Sequence, residues 1–220
     1  MKYIEYASYS TDTDENEIKL NIEKIKDLKH ISYISIPYFY TKLCRNILKD
    51  TNIKVSNAID YPLGISDTKS RSSAVLNAIN NGAQKIELVF PNNLLANRKY
   101  DKIKTDIKLN KQICDDNNVE LFFYLEYRTF THQSLIKACN ILKEHNINYV
   151  YPSTGYMLDN IDDNIIATIL LNQKSNITTI FSGNIWNKDH FEKLKKNNIS
   201  CVRISTLNII PDLIGYFYEK

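Results

Sequence analysis

Two carboxylates stand inside apolar strand-like runs: Glu87 in Lys85-Ile86-Glu87-Leu88-Val89-Phe90-Pro91, and Glu126 at the end of Leu121-Phe122-Phe123-Tyr124-Leu125-Glu126. A charge in such a run must be paired or put to use, because desolvation disfavours it. Proton transfer is the chemistry it would serve. The other reading is a salt-bridged structural pair with Arg128 or a lysine from a neighbouring strand end. Tyr151, in Tyr149-Val150-Tyr151-Pro152-Ser153-Thr154-Gly155, is the third catalytic candidate. Its hydroxyl can donate a hydrogen bond or act as an acid, although filling space is the role its size favours. Ser153, Thr154, Ser182 and Asn184 lie in turns that follow strands and could hold a ligand's hydroxyl groups, which is also ordinary turn chemistry. Arg203 either binds an anion or pairs with a carboxylate inside the fold. The lone Trp186 either covers a pocket mouth or packs on a helix. His30, His132, His145 and His190 show neither HxH nor HExxH spacing, so no metal site and no cofactor is expected.

The elements that must position these groups alternate strictly. Strand character at residues 3–9, at Ile31 to Pro37, at Ile53 to Tyr61, at Lys85 to Pro91 and at Leu121 to Glu126 is each followed by a segment of helical periodicity. Tyr149 to Gly155, Thr178 to Asn184 and Cys201 to Ser205 continue the pattern. The first helix carries a stripe of Ile18, Leu20, Ile22, Ile25 and Leu28, and later helices run over 99–117, Thr131 to Asn146, Ile161 to Leu171, Asp189 to Asn197 and Pro211 to Tyr218. Eight strand–helix pairs predict a parallel sheet closed into a (β/α)8 TIM barrel, a single domain over 1–220. An open doubly wound sheet is the competing layout, but no GxGxxG or GxxxxGKS segment follows any strand. In a barrel, side chains at the C-terminal strand ends converge, which turns Tyr151 and Ser153 toward one pocket. Lys54 and Lys85, early in their strands, are expected near the opposite face and away from it.

Composition narrows the classes. The chain has 220 residues, 43% hydrophobic and 24% charged, with a net charge of +3. Its lysines are dispersed over helix surfaces, and the densest cluster (Lys193, Lys195, Lys196) reads as a solvated face, which argues against nucleic acid as a partner. No run of 18 apolar residues suggests a membrane span, and the start has no signal-type apolar segment. Cys44, Cys114, Cys139 and Cys201 are widely spaced and read as reduced, buried thiols. A cytoplasmic location is expected.

Five short stretches, in order and in register with the barrel, resemble the deoxyribose-phosphate aldolase family: Tyr61-Pro62-Leu63-Gly64, Ile86-Glu87-Leu88-Val89-Phe90-Pro91, Leu125-Glu126, Ser153-Thr154-Gly155 and Ser182-Gly183. The resemblance implies a class I aldolase barrel in which a sixth-strand lysine forms a Schiff base with an aldehyde. A seventh-strand lysine depresses the pKa of the first, and a fourth-strand carboxylate assists proton transfer. Here the two lysine positions hold Tyr151 and Ile180, and the acidic position holds Glu87 in place of aspartate. The family's Gly-Gly turn with a following arginine becomes Gly183-Asn184-Ile185-Trp186, and its eighth-strand glycine and serines fall at Ser205, Leu207 and Asn208. The expectation is a divergent lyase on a small carbonyl compound or sugar-like ligand, its reaction lost or altered, with an open polar pocket. The alternative is an inert paralogue acting as a binding or partner scaffold, its mouth closed by Tyr151, Ile180, Phe181 and Trp186. A homodimer is compatible with either.

Overall fold

β-branched and aromatic runs bounded by Asn, Asp and Gly turns form nine short strands, all paired in parallel: β1 (Tyr3–Ala7), β2 (Ile31–Ser35), β3 (Lys54–Ile59), β4 (Lys85–Val89), β5 (Glu120–Tyr124), β6 (Tyr149–Tyr151), β7 (Thr178–Thr179), β8 (Phe181–Ser182) and β9 (Cys201–Ile204). They are seen in a computed structural model that describes the chain except residues 1, 2, 11, 158, 184, 200, 219 and 220. The sheet order is β7-β6-β5-β4-β3-β2-β1-β9-β8. Only Ile180 separates β7 from β8, and its N–H still bonds the Val150 carbonyl at 2.8 Å. The two pieces are therefore halves of one seventh barrel strand. Its lower half pairs with β6 and its upper half with β9, as the stagger of a closed barrel requires. The ring closes, and the fold is the (β/α)8 barrel.

Helices α1 (Glu15–Ile25), α2 (Thr41–Ile47), α3 (Thr68–Asn80), α4 (Asn92–Ala96), α5 (Tyr100–Asp116), α6 (His132–Glu144), α7 (Ile161–Ser175), α8 (Lys188–Lys196) and α9 (Ile210–Tyr218) surround it. Asp14 caps α1 by accepting from Glu17 N at 2.8 Å, and Ile18, Ile22 and Ile25 face inward. Leu20, expected in that stripe, is exposed: two residues after Ile18 is about 200° around a helix, on the far side. The short α4 was not anticipated. The outer core between strands and helices has two lobes. Ile4, Ile22, Ile34, Phe181 and Phe191 belong to one, and Ile86, Ile107, Phe123 and Leu142 to the other. A buried cation joins the turn after β3 to its neighbours: Arg71 of α3 pairs with Asp60 and with Asp106 (3.1 Å), and donates to the Val89 carbonyl at 2.7 Å. Among the described residues no helix is long and apolar enough to cross a membrane.

Candidate functional site

Strand alternation aims every second side chain into the barrel. Glu5 of β1, Lys85 and Glu87 of β4, Tyr151 of β6 and Arg203 of β9 consequently meet on its axis, each almost fully removed from solvent. Lys85 Nζ lies 2.6 Å from Glu5 and 3.1 Å from Glu87, and donates to Tyr151 Oη at 2.9 Å. Tyr151 Oη donates to Glu5 Oε2 at 2.7 Å. Arg203 Nη2 bonds Glu5 at 2.8 Å, pairs closely with Glu87, and reaches Tyr151 Oη at 3.1 Å. Glu87 also accepts from Ser35 and Ser56, both at 2.7 Å, and from Tyr124 at 3.0 Å. Burial alone would raise the Glu87 carboxyl, but the charges of Arg203 and Lys85 with the two serine hydroxyls outweigh it and hold it at about 2. Burial likewise disfavours the Arg203 cation, and here the Glu87 and Glu5 charges prevail and push its pKa upward. Two anions and two cations thus balance in a dry interior.

Lys85 keeps out of the pocket lining as expected, yet its ammonium reaches the axial cluster instead of staying at the N-terminal face. It does begin β4, but it shares parity with Glu87, and its long stem carries the ammonium up the axis to Tyr151. It rests over the Tyr33 ring, 3.7 Å from the centroid, and 4.7 Å from that of Phe122. Lys54 does lie at the exposed end of the barrel, paired with Glu120.

Above the cluster, at the C-terminal strand ends, opens a pocket of ≈110 Å³. Arg203 forms its floor, Tyr9, Tyr61 and Tyr124 its walls, and Thr154, Ser182 and Ser205 part of its rim. Tyr9 and Tyr61 stack at 5.4 Å, and Tyr61 meets Tyr124 edge-on at 5.8 Å. Arg203 Nη1 is buried and has no hydrogen-bond partner among the described residues. The closed apolar mouth therefore does not occur. Ile180 lies inside the barrel, but Phe181 points outward into the helix layer and Trp186 is 57% exposed.

The other candidates fall close by. Glu126 is buried and accepts from Thr154 Oγ1 at 2.7 Å and Thr154 N at 3.3 Å, while its Oε1 is unpartnered. Burial raises its carboxyl, only partly offset by hydrogen bonds from Thr154 and the Arg128 backbone. Ser153 Oγ accepts from Gly155 N at 3.0 Å, so its hydroxyl closes the turn. Ser182 borders the pocket, whereas Asn184 lies outside the described residues. Glu5 was overlooked, although it carries the same signal as Glu87, a carboxylate between apolar neighbours in a short strand. Tyr9, Tyr61 and Tyr124 carry no chemical signal in the local sequence, and only their position at the strand ends singles them out.

No family model matches the chain. Curated relatives do. A deoxyribose-phosphate aldolase of Clostridium botulinum is 26% identical over 204 residues, 93% of this chain and 95% of the relative. One of Mycoplasmopsis pulmonis is 25% identical over 88% of this chain and 86% of its own length. Among solved structures, the tetrameric deoxyribose phosphate aldolase from Aeropyrum pernix superposes with TM-score 0.81 at 12% identity, covering 99% of this chain and 90% of that one. Triosephosphate isomerase from Bartonella henselae follows at 0.61, with 12% identity over 97% of this chain and 99% of that one. The structural likeness shows the barrel, and the sequence relationship, spanning nearly the whole barrel, makes the chain similar to curated deoxyribose-phosphate aldolases.

Proposed function

We propose that this barrel binds a small polar ligand at its C-terminal mouth and that the Schiff-base lyase reaction of its family is lost or altered. One observation carries the reading: among the described residues no lysine lines the pocket. Tyr151 stands where the family resemblance puts the reacting lysine, and a phenol cannot form an iminium. Lys85, the one fully buried lysine among the described residues, is ion-paired to Glu5 and Glu87 and does not border the pocket. Glu87, held at about 2 and saturated with donors, is a poor base and serves as a counter-ion. Glu126 does not line the pocket, but its carboxyl, raised by burial, bonds the Thr154 hydroxyl on the rim, and we assign any remaining acid–base chemistry to it acting through Thr154.

The test is intact mass after incubation with deoxyribose 5-phosphate, acetaldehyde and small ketones under borohydride, with a lysine-bearing relative labelled in parallel. The expected result is adduct on the relative and none on this chain. A stoichiometric reduced adduct on one lysine overturns the reading.

A second reading, a scaffold that presents its mouth to a protein partner or a second copy, is favoured by exposed apolar side chains on the loops of that face. Phe39 (77%), Tyr38 (60%), Ile65 (53%) and Tyr156 (66%) stand there with Trp186. The Aeropyrum pernix relative is described as tetrameric. Light scattering of Phe39→Asp and Trp186→Asp against the parent decides it: a drop in assembly mass supports the scaffold, and an unchanged mass with ligand binding retained removes it.

A further inference from the structure

The polar inventory of the pocket specifies what it can hold. Arg203 is only 4% exposed, and its Nε and Nη2 are committed to Glu5, Glu87 and Tyr151. Its side chain borders the pocket, and its buried Nη1 has no hydrogen-bond partner among the described residues. A buried donor of this kind is costly to leave unmet. The tyrosine hydroxyl protons on the walls are spent: Tyr61 donates to the Thr154 carbonyl at 2.9 Å, Tyr124 donates to Glu87 at 3.0 Å, and Tyr9 meets Ser35 at 2.7 Å while accepting from Ala58 N at 2.8 Å. The lone pairs of Tyr61 and Tyr124 stay open. Among the described residues no carboxylate lines the pocket. The residues that line it carry a guanidinium group, the hydroxyls of Ser182 and Ser205, and phenolic oxygens whose protons are already committed.

A ligand that satisfies this lining brings an acceptor for Arg203 and the serines, and a donor for the tyrosine oxygens. Charge limits it further. Glu5 and Glu87 already balance Arg203 and Lys85, so a doubly charged phosphate would enter a site with no surplus cation, close to two carboxylates. The ≈110 Å³ of space matches a few waters at roughly 30 Å³ each, and thus a short carbon chain. We propose that the pocket binds a hydroxy-monocarboxylate of about two to four carbons, its carboxylate on Arg203 Nη1 and the serine hydroxyls and its hydroxyl on the Tyr61 and Tyr124 oxygens. The proposal rests on the reading of this mouth as a non-covalent binding site.

Calorimetric titration near pH 7 at low ionic strength tests it, with glycolate, lactate and glycerate as probes and glycerol, inorganic phosphate and deoxyribose 5-phosphate as comparators. The expected result is saturable binding of at least one hydroxy acid, about tenfold or more tighter than glycerol or phosphate. Ser205→Ala, at an exposed position, should weaken it severalfold, and Ala7→Val, which adds bulk to the pocket wall, should abolish it, with the far-ultraviolet circular dichroism of both variants matching the parent. Absence of hydroxy-acid binding, equal or tighter binding of glycerol or phosphate, or undiminished affinity in both variants overturns the proposal. Lysine labelling by borohydride would defeat the non-covalent reading itself. Failed titrations without labelling defeat only the ligand assignment.

Discussion

At the scale of single residues, Glu87 is the most exacting group in the chain. Its carboxyl moves from an ordinary 4.5 to about 2 on folding, against the opposing pull of burial. A depressed carboxyl contributes stability that is fully present above about 4.5 and is lost as pH falls toward about 2, on the order of 3 kcal/mol here. Urea midpoints measured between pH 6 and pH 2.5 should fall steeply in that window, and Glu87→Gln should be less stable at pH 6 with a flatter profile. A parallel slope in the variant would mean that other carboxylates carry the acid lability. Glu126 works in the opposite sense: its carboxyl is raised by burial, so its ionisation subtracts stability as pH rises. Both glutamates were legible in the sequence, because a charge between aliphatic neighbours announces itself. Lys85 was not, because a residue that starts a strand reads as lying at the barrel's edge, while its long stem carries the ammonium to Tyr151. Parity with Glu87, two residues on, was the usable signal.

Elements hold these residues through turns whose geometry tolerates little change. Gly64, in the turn after β3, has φ +65°, and an added Cβ would meet the Phe90 carbonyl at 2.2 Å and Val89 Cγ1 at 2.8 Å. Its own carbonyl accepts from Asn92 N at 2.9 Å, tying the turn to the start of α4 just beyond β4. Gly64→Ala should cost about 2–3 kcal/mol, from left-handed strain and a contact that cannot relax without moving β4. At α7, the Asn160 side chain accepts from Asp162 N at 2.9 Å, and Asn160→Ala should cost about 1 kcal/mol. Chemical denaturation of the two variants checks both values, and a Gly64→Ala loss no larger than that of Asn160→Ala would refute the clash. Strand and helix order was readable because periodicity changed sharply at each Asn, Gly or Pro. The split of the seventh strand at Ile180 was not, since the stagger of a closed barrel arises from all strands together and leaves no mark on the local pattern.

At the scale of the whole molecule, the axial cluster joins two lobes whose apolar cores are separate. Glu5 and Arg203 come from the first and last strands, beside the lobe of Ile4, Ile34 and Val202. Lys85, Glu87 and Tyr151 come from strands whose outer faces build the lobe of Ile86, Leu88 and Val150. The barrel closes with a neutral set of four charges at its centre, and charge balance, more than any single bond, should govern the cost of altering it. Arg203→Met leaves Glu5 and Glu87 facing Lys85 alone and should cost about 3–5 kcal/mol, the penalty of an uncompensated buried charge. Adding Glu87→Gln restores neutrality, with Lys85 opposite Glu5 at 2.6 Å. The double variant should therefore be at least as stable as Arg203→Met alone, giving a coupling of about 1–3 kcal/mol in a double-mutant cycle. Additive losses would show that each charge is held by its local hydroxyls instead, Glu87 by Ser35, Ser56 and Tyr124, and that the lobes are joined by backbone pairing alone.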